Sequence, residues 1–303
     1  MELEQINNIK IKPVITESSN WGPKTVRAFD YYNEPYSNTA LIAGKFSGKT
    51  NLIYRALEQC ATKGTNVMIF CSTANLDKTY AKMIKMLKKK KANVTTEDHF
   101  IVDGVNIIEQ LLNHLQNEKD DAENVEVELK PPPLLMFDTK NLKVQQQGNG
   151  DVKMMTKPPS KKSKTKVKKD KLLTPEYIFV FDDLSSDMTD KSITRLLTKN
   201  RHFKAKTFIS IHDVTNLTKG GLRMIDNFHC FPNLSNDRIE ELGEKVNIKF
   251  KSDTRKRSCL QELYDDATSK PYQFLYIDRG NGTFRKNYDK KYKDTFEQPK
   301  VEI

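Results

Sequence analysis

Apolar runs of strand length alternate with amphipathic segments of helical length along most of this chain. The strand-like runs are mainly apolar, and residues 177–181 are fully apolar, as in a strand that is buried on both faces. Between them, apolar residues recur at helical spacing. The predicted strands are residues 39–43, 65–71, 99–103, 177–181, 206–211, 228–231 and 274–278. The predicted helices are residues 49–62, 78–90, 105–116, 189–199, 237–246 and 258–267.

The order of these elements predicts the fold class. Strands that alternate with helices of this length form parallel βαβ units, so we predict an α/β domain of three layers with a mainly parallel central sheet. Residues 279–282, Arg-Gly-Asn-Gly, carry the signal of a hairpin turn after the last predicted strand.

One long segment interrupts the alternation. Residues 119–174 contain Pro-Pro-Pro, Gln-Gln-Gln and lysine-rich stretches with few large apolar residues, which indicates a disordered insertion. Residues 1–37 are interpreted as an N-terminal arm that packs by its aromatic side chains, and residues 289–303 as a charged tail. We therefore predict one domain over residues 38–288 with the insertion inside it.

The segment 43–50, Ala-Gly-Lys-Phe-Ser-Gly-Lys-Thr, has the pattern of a phosphate-binding P-loop. A predicted strand precedes it and a predicted helix follows it, as the pattern requires. Its small residues allow a tight turn whose N–H groups face one anion, and the helix adds its positive end. Lys49 is predicted to reach the β- and γ-phosphates of ATP, and Thr50 to hold Mg²⁺. The predicted nucleotide-binding residues are Gly44, Lys45, Phe46, Ser47, Gly48, Lys49, Thr50 and Asn51.

The first position of this loop departs from the usual pattern. Ala43 stands where glycine is common, and we expect it to cost some backbone freedom. The alternative interpretation of the whole segment is a chance turn rich in glycine and lysine, which the flanking strand and helix disfavour.

Two carboxylates end a second buried strand. Residues 177–181, Tyr-Ile-Phe-Val-Phe, are followed by Asp182 and Asp183. Carboxylates at the carboxyl end of a parallel strand lie beside the ligand crevice. In a P-loop enzyme, Asp182 would bind Mg²⁺, and Asp183 would orient or deprotonate the attacking water. By itself this pattern is also that of a strand ending in a polar turn, and the P-loop earlier in the chain gives it weight.

The charge balance points to a polyanionic partner. The formal net charge is +11, from 51 Lys and Arg against 40 Asp and Glu, which suits nucleic acid as well as a nucleotide. Eight of the lysines fall within residues 157–171, and without them only a small positive balance is left. This run fits two interpretations equally well: a nuclear-localisation or nucleic-acid-binding segment, or a solvated spacer.

Other features restrict the location of the protein. No apolar stretch approaches the length of a membrane span, and the first residues do not have the pattern of a signal peptide. The four cysteines have no metal-like spacing. We therefore expect a reducing intracellular compartment and no secretion.

The order of the motifs resembles that of one family. After the P-loop and the Asp pair come Lys-Asn-Arg-His-Phe at 199–203, a strand ending at His212, and Leu222-Arg223 with Asn227. This order resembles the genome-packaging ATPases of poxviruses, giant viruses, virophages and Polinton-like elements, which belong to the FtsK–HerA group of DNA-pumping P-loop motors. The resemblance covers about residues 38–232. The chain departs from the family pattern at Ala43 and at His212, where the family commonly has Gly and Gln.

The resemblance implies a RecA/FtsK-like P-loop NTPase that uses ATP and Mg²⁺ to move double-stranded DNA into a viral capsid. It implies a homo-oligomeric ring, capsid or portal-vertex partners, and a location inside an infected cell, with association with the virion also open. The implied catalytic residues are Lys49, Asp183, Arg201, Arg223 and His212, with one arginine supplied by a neighbouring subunit. His212 and either arginine are equally well ordinary polar surface residues.

Two other functions fit the same motifs. The first is another P-loop enzyme, such as a DNA helicase; a nucleotide kinase would show an arginine-rich lid, which the sequence lacks. The second is a nucleotide-gated scaffold protein with little turnover, against which Lys49 and the Asp pair argue.

Overall fold

A computed structural model describes residues 21–74, 77–102, 104–128, 172–184, 187–246 and 256–292. The chain divides into two compact units, one of residues 1–112 and 172–303 and the other of residues 113–171. The described part of the second unit, residues 113–128, is helical.

Eleven strands and seven helices are assigned within these residues. The strands are β1 (Asn38–Ile42), β2 (Asn66–Cys71), β3 (Asn93–Glu97), β4 (Ile101–Val102), β5 (Val105–Asn106), β6 (Tyr177–Asp182), β7 (Ala205–Ile211), β8 (Asn227–Cys230), β9 (Leu275–Asp278), β10 (Thr283–Lys286) and β11 (Lys290–Lys291). The helices are α1 (Lys49–Cys60), α2 (Lys78–Lys89), α3 (Ile107–Glu128), α4 (Lys191–Lys199), α5 (Lys219–Arg223), α6 (Asn236–Val246) and α7 (Lys256–Ala267).

Nine of the strands form one sheet in the order β11-β10-β9-β8-β1-β7-β6-β2-β3. The six strands from β8 to β3 are parallel, while β9, β10 and β11 extend the sheet by antiparallel pairing. The strand that precedes the P-loop therefore lies in the middle of the sheet, with β7 between it and the Asp-Asp strand β6. The α/β class and the mainly parallel sheet are confirmed.

Both faces of the central strands are covered, because every residue of β1 and β7 is buried. On one face, Leu41, Val67, Ile69 and Val180 pack in a single cluster with the apolar residues of α1 and α2. On the other face, Phe70 and Phe181 stack with ring centroids 5.1 Å apart. Burial on two faces explains why these strands are rich in apolar residues, although polar residues such as Lys206 and Thr207 of β7 are buried with them.

The predicted strand at 99–103 is wrong as a member of the parallel sheet. Ile101 and Val102 form only a two-residue hairpin with β5, and Phe100 is apolar because it packs edge-on against Phe70 and Phe181. The strand at the sheet edge is instead β3, Asn-Val-Thr-Thr-Glu, which is polar and partly exposed. An edge strand needs little apolar surface and often carries polar residues, so it gave no signal.

The third predicted helix is longer than its pattern indicated. It runs from Ile107 to Glu128, so residues 119–128 of the predicted insertion are helical. The remainder of that insertion up to residue 171, including the lysine run, lies outside the described residues. The hairpin turn at 279–282 is confirmed between β9 and β10.

Residues 21–37 cover the edge of the sheet at which the parallel strands begin, called the amino edge below. Lys206, which is 1 % exposed on β7, donates to the Glu34 carbonyl at 2.9 Å and to the Ser37 hydroxyl at 2.6 Å. Its ammonium lies 4.5 Å from the centre of the buried Tyr32 ring, and burial lowers its pKa. At the other end of the domain, Lys290 and Lys291 add β11 to the sheet. The division into arm, domain and tail stays a prediction.

Candidate functional site

The predicted P-loop of residues 43–50, called the phosphate loop below, joins the carboxyl end of β1 to the start of α1. Phe46 and Gly48 have φ values of 58° and 98°, so the loop turns through left-handed backbone at two positions. Ala43 is not one of the residues with a positive φ. It is fully buried, and its N–H donates to the Ile211 carbonyl at 3.1 Å. The expected conformational cost of Ala43 is therefore wrong, since its backbone is of a kind that alanine adopts freely.

Lys49 points to the second carboxylate of the Asp pair. Its ammonium is 3.5 Å from Asp183 Oδ1, and its side chain is 9 % exposed. Asp183 itself has a φ of 56°, a left-handed conformation that aspartate tolerates better than most residues. This kink directs its carboxylate into the cleft, half exposed, at the end of β6.

Asp182 lies beneath the cleft and has different partners. It is 2 % exposed, and its Oδ2 accepts from the Tyr80 hydroxyl at 2.6 Å and from the Thr50 hydroxyl at 3.3 Å. Burial raises the pKa of Tyr80, and the charge of Asp182 raises it further, so this phenol stays a neutral donor. The other oxygen, Asp182 Oδ1, is buried without a hydrogen-bond partner, as is Ser47 Oγ.

These groups fit a divalent cation. A buried carboxylate oxygen without a partner costs free energy, and a hard cation that prefers oxygen ligands would satisfy it. Thr50 and Asp182 are the residues that would hold Mg²⁺, as the sequence predicts. Among the described residues no cluster of three or more His, Cys, Asp or Glu side chains is suited to a metal.

His212 lies between the phosphate loop and the Asp pair, because β7 is the strand between β1 and β6. Its Nδ1 is 2.9 Å from the Ala43 carbonyl. A carbonyl only accepts, so Nδ1 carries a proton and donates. Its Nε2 is 3.7 Å from Asp183 Oδ1. From Nε2, His212 therefore accepts a hydrogen bond when neutral and donates one only as the imidazolium.

These side chains surround one open cleft of about 800 Å³. Its lining residues are Lys45, Phe46, Ser47, Gly48, Lys49, Thr50, Asn51, Asp77, Thr79, Asp183, His212 and Tyr272. Seven of the eight predicted nucleotide-binding residues are among them, and Gly44 lies next to them in the loop. The sequence analysis missed Tyr80 and Tyr272. The sequence pattern makes Tyr80 a core residue of an amphipathic helix, and Tyr272 follows a proline in a turn. Neither position has a sequence pattern that indicates a functional site.

The two candidate arginines lie away from this cleft. Arg201 and Arg223 precede β7 and β8, whose amino ends are at the opposite edge of the sheet from the phosphate loop. Arg201 is 2.8 Å from Glu34 and 3.7 Å from Asp226, and its guanidinium is 5.9 Å from the centre of the Trp21 ring. Arg223 is exposed at the end of α5. Neither reaches the cleft of its own chain.

Asp226 and Glu34 surround Arg201 with carboxylates that are partly removed from water. Burial raises the pKa of both, opposed by the Arg201 charge. Arg201 is thus held by at least two acidic partners at this edge of the sheet.

The helices and the cysteines of the described residues have the following properties. None of their helices is both long and apolar enough to cross a membrane. The four cysteines are free thiols, and Cys60, Cys71 and Cys230 are buried. Burial raises the pKa of Cys60 and Cys230, as expected of structural thiols.

The chain is similar in structure to genome-packaging NTPases of two Sulfolobus viruses. It matches the DNA-packaging ATPase B204 of Sulfolobus turreted icosahedral virus with a TM-score of 0.46 and 13% identity, over 83% of this chain and 96% of that one. For B204 of Sulfolobus turreted icosahedral virus 2 with ATP-gammaS, the TM-score is 0.46 and the identity 14%, over 83% and 97%. For the same protein with sulfate, the TM-score is 0.44 and the identity 16%, over 88% and 100%.

No protein-family model matches the sequence, and no curated protein sequence is similar to it.

Proposed function

We propose that this protein is a P-loop ATPase that hydrolyses Mg²⁺-ATP in the cleft between the phosphate loop and the ends of β6 and β7. One observation carries the proposal: Lys49, Thr50, Asp182, Asp183 and His212 come from three separate parts of the chain and converge on one cleft. Phosphoryl transfer needs a cation-lined phosphate cradle, a metal-binding carboxylate and a group that orients water, and these residues supply all three.

Each side chain then has a role. The loop N–H groups and Lys49 bind the phosphates, and an incoming γ-phosphate competes with Asp183 for the Lys49 ammonium. The Asp183 carboxylate released in this way orients the attacking water. From Nε2, neutral His212 accepts a hydrogen bond from that water, and only its imidazolium form would donate to the γ-phosphate. Thr50 and Asp182 would hold Mg²⁺, which would supply neutralisation of the charge on the phosphate oxygens.

We further propose that hydrolysis drives translocation of double-stranded DNA into a viral capsid. The order of the motifs from the phosphate loop to Asn227 supports this function, as does the net charge of +11, which favours sequence-independent contacts to phosphate. Arg201 and Arg223 lie at the sheet edge opposite the cleft, so either would serve the cleft of a neighbouring subunit in a homo-oligomeric ring. A capsid or portal-vertex protein would be the docking partner inside an infected cell.

ATP hydrolysis by the purified chain, measured with and without long double-stranded DNA across a salt series, tests the proposal. We expect DNA to stimulate turnover and the stimulation to fade as salt rises, because phosphate contacts release counterions. Lys49→Ala and Asp183→Asn should each lower turnover by about 10²-fold or more, as the loss of a transition-state contact does. The exposed Lys82 and Asp237 give matched controls, Lys82→Ala and Asp237→Asn, with turnover unchanged.

The rival functions predict other outcomes. DNA-stimulated turnover accompanied by strand separation would identify a helicase. Turnover that DNA does not change would identify another P-loop enzyme. Equal, slow turnover in the parent chain, Lys49→Ala and Asp183→Asn would exclude an ATPase and favour a nucleotide-gated scaffold.

A further inference from the structure

The cleft has a second side that the phosphate chemistry does not use. Asp183 and His212 follow β6 and β7, on one side of the central strand β1, whereas β8 and β9 lie on its other side. Strand β9 runs antiparallel to β8, with Leu275 opposite Cys230. The turn that leads into β9 therefore lies at the same edge of the sheet as the phosphate loop, and it brings Tyr272 into the lining of the cleft.

Tyr272 stands over the start of α1. A Cβ added to Gly48 would lie 3.2 Å from Tyr272 Cδ1, so the ring contacts the loop where the first helical turn begins. The side chain is nevertheless 71 % exposed. One face of an aromatic ring is thus presented to the cleft instead of to the core.

The backbone at Tyr272 would suit a smaller residue. The Gln273 N–H donates to the Lys270 carbonyl at 3.3 Å, which closes a four-residue turn with Pro271 and Tyr272 at its centre. Tyr272 has a φ of 64°, and proline followed by positive φ is the pattern of a type II turn, whose third position favours glycine. A bulky residue in this conformation is strained, and such strain concentrates at ligand sites.

We propose that Tyr272 forms the base subsite of the cleft by stacking on the purine ring of the bound nucleotide. This inference rests on the proposed function, since it takes the cleft to be a nucleotide site. The γ-phosphate end is fixed at Lys49, Asp183 and His212, and the α-phosphate end at the start of α1 beside Gly48. The ribose and base then leave the phosphate loop toward β8 and β9, where the Tyr272 ring is exposed. An aromatic face is what a purine base stacks on.

Calorimetric titration of the full chain with two ligands tests this subsite. The ligands are Mg²⁺-ATPγS and Mg²⁺-tripolyphosphate, which lacks base and ribose. We expect Tyr272→Gly to weaken ATPγS binding by about 5- to 150-fold, the range for loss of one stacked base. Tyr272→Phe keeps the ring and should bind ATPγS within about twofold of the parent. Tripolyphosphate should bind all three proteins equally.

Three outcomes would overturn the inference. ATPγS bound equally by all three proteins would mean that the ring makes no useful contact. An equal loss of both ligands in Tyr272→Gly would mean that the ring supports the phosphate loop and not the base. A parent chain that binds neither ligand would end the proposed function as well. The titration measures only ligand binding, without hydrolysis or DNA. It therefore tests the base subsite even if the protein does not translocate DNA. Glycine suits the positive φ, so we expect Tyr272→Gly to unfold at no lower temperature than the parent.

Discussion

At the residue scale, two adjacent aspartates have opposite environments. Asp182 is 2 % exposed and is held by Tyr80 and Thr50, whereas Asp183 is half exposed and faces Lys49 and His212. Consecutive residues of a strand point to opposite sides, and the left-handed backbone at Asp183 then turns its carboxylate into the cleft. In the proposed function, the first carboxylate would hold a cation and the second would orient water.

Tyr80 is expected to position Asp182 for the cation. Its hydroxyl donates to Oδ2, and Oδ1 has no hydrogen-bond partner and would be available to a metal ion. Tyr80→Phe should therefore weaken metal binding about 10-fold, as loss of an outer-shell partner does. The measurement is Mn²⁺ titration of the ATPγS complex by electron paramagnetic resonance. Tyr292, whose hydroxyl donates to Asp266, gives the control Tyr292→Phe with unchanged affinity. If Tyr80→Phe binds Mn²⁺ as tightly as the parent, the positioning role is wrong.

At the scale of elements, β8 carries a histidine that folding makes hard to protonate. His229 is fully buried among the rings of Tyr32, Phe274, Tyr276 and Tyr288, and its Nε2 is 2.8 Å from the Tyr288 hydroxyl. Burial lowers the pKa of His229 from 6.5 to about 3. The neutral ring is therefore part of how β8 and β9 pack together.

This shift predicts a loss of stability in acid. Between the unfolded pKa of 6.5 and the folded pKa of about 3, the unfolded chain binds a proton that the folded chain does not. The free energy of unfolding should therefore fall as pH drops through this window, by up to about 1.4 kcal/mol per pH unit. Urea unfolding of the parent and of His229→Gln between these limits measures the effect.

Comparison with an exposed histidine isolates the contribution of His229. The His229→Gln variant should have a flatter pH profile, and His202→Gln, at an exposed position, should keep the profile of the parent. Parallel profiles for the parent and His229→Gln would show that His229 is not responsible.

At the scale of the whole molecule, the cleft and the two candidate arginines lie at opposite edges of one sheet. Acidic partners hold Arg201 beside Trp21 at the amino edge, and Arg223 is exposed near it, before β8. Within one chain neither reaches the phosphate loop. An assembly that places the amino edge of one subunit against the cleft of the next would complete each site with an arginine.

Mixing inactive subunits tests this arrangement. If an arginine acts across the interface, Arg201→Ala or Arg223→Ala chains have an intact cleft, and Lys49→Ala chains have an intact arginine. A mixture should then hydrolyse ATP faster than the sum of the two proteins alone, because some interfaces combine both intact parts. The DNA-stimulated rate is the measurement. Arg195, which pairs with Glu109 at the surface, gives the control Arg195→Ala, active without mixing. A mixture no faster than the sum for both arginines would exclude a shared site.

The sequence by itself determined the α/β class, the parallel central sheet and most of the phosphate site. These depend on local patterns: the apolar run of β6, the mainly apolar segments of β1 and β7, and the spacing of glycine, lysine and threonine in the loop from 43 to 50. The Asp pair was predictable because carboxylates at the ends of buried parallel strands meet at one edge.

Only the tertiary structure decided what depends on contacts between distant segments. Strand β3 was not predicted because edge strands carry little apolar signal. Residues 99–103 were wrongly predicted as a strand of the parallel sheet, because the apolar Phe100 packs against Phe70 and Phe181 and not within a strand. Tyr272 lines the cleft and Tyr80 holds Asp182 beneath it, but both lie outside the two motifs in the sequence, so no local pattern marks them. The position of Arg201 at the opposite edge from the cleft likewise follows from strand order, because the direction of β7 within the sheet is set by its pairing with β1 and β6 and not by its own residues.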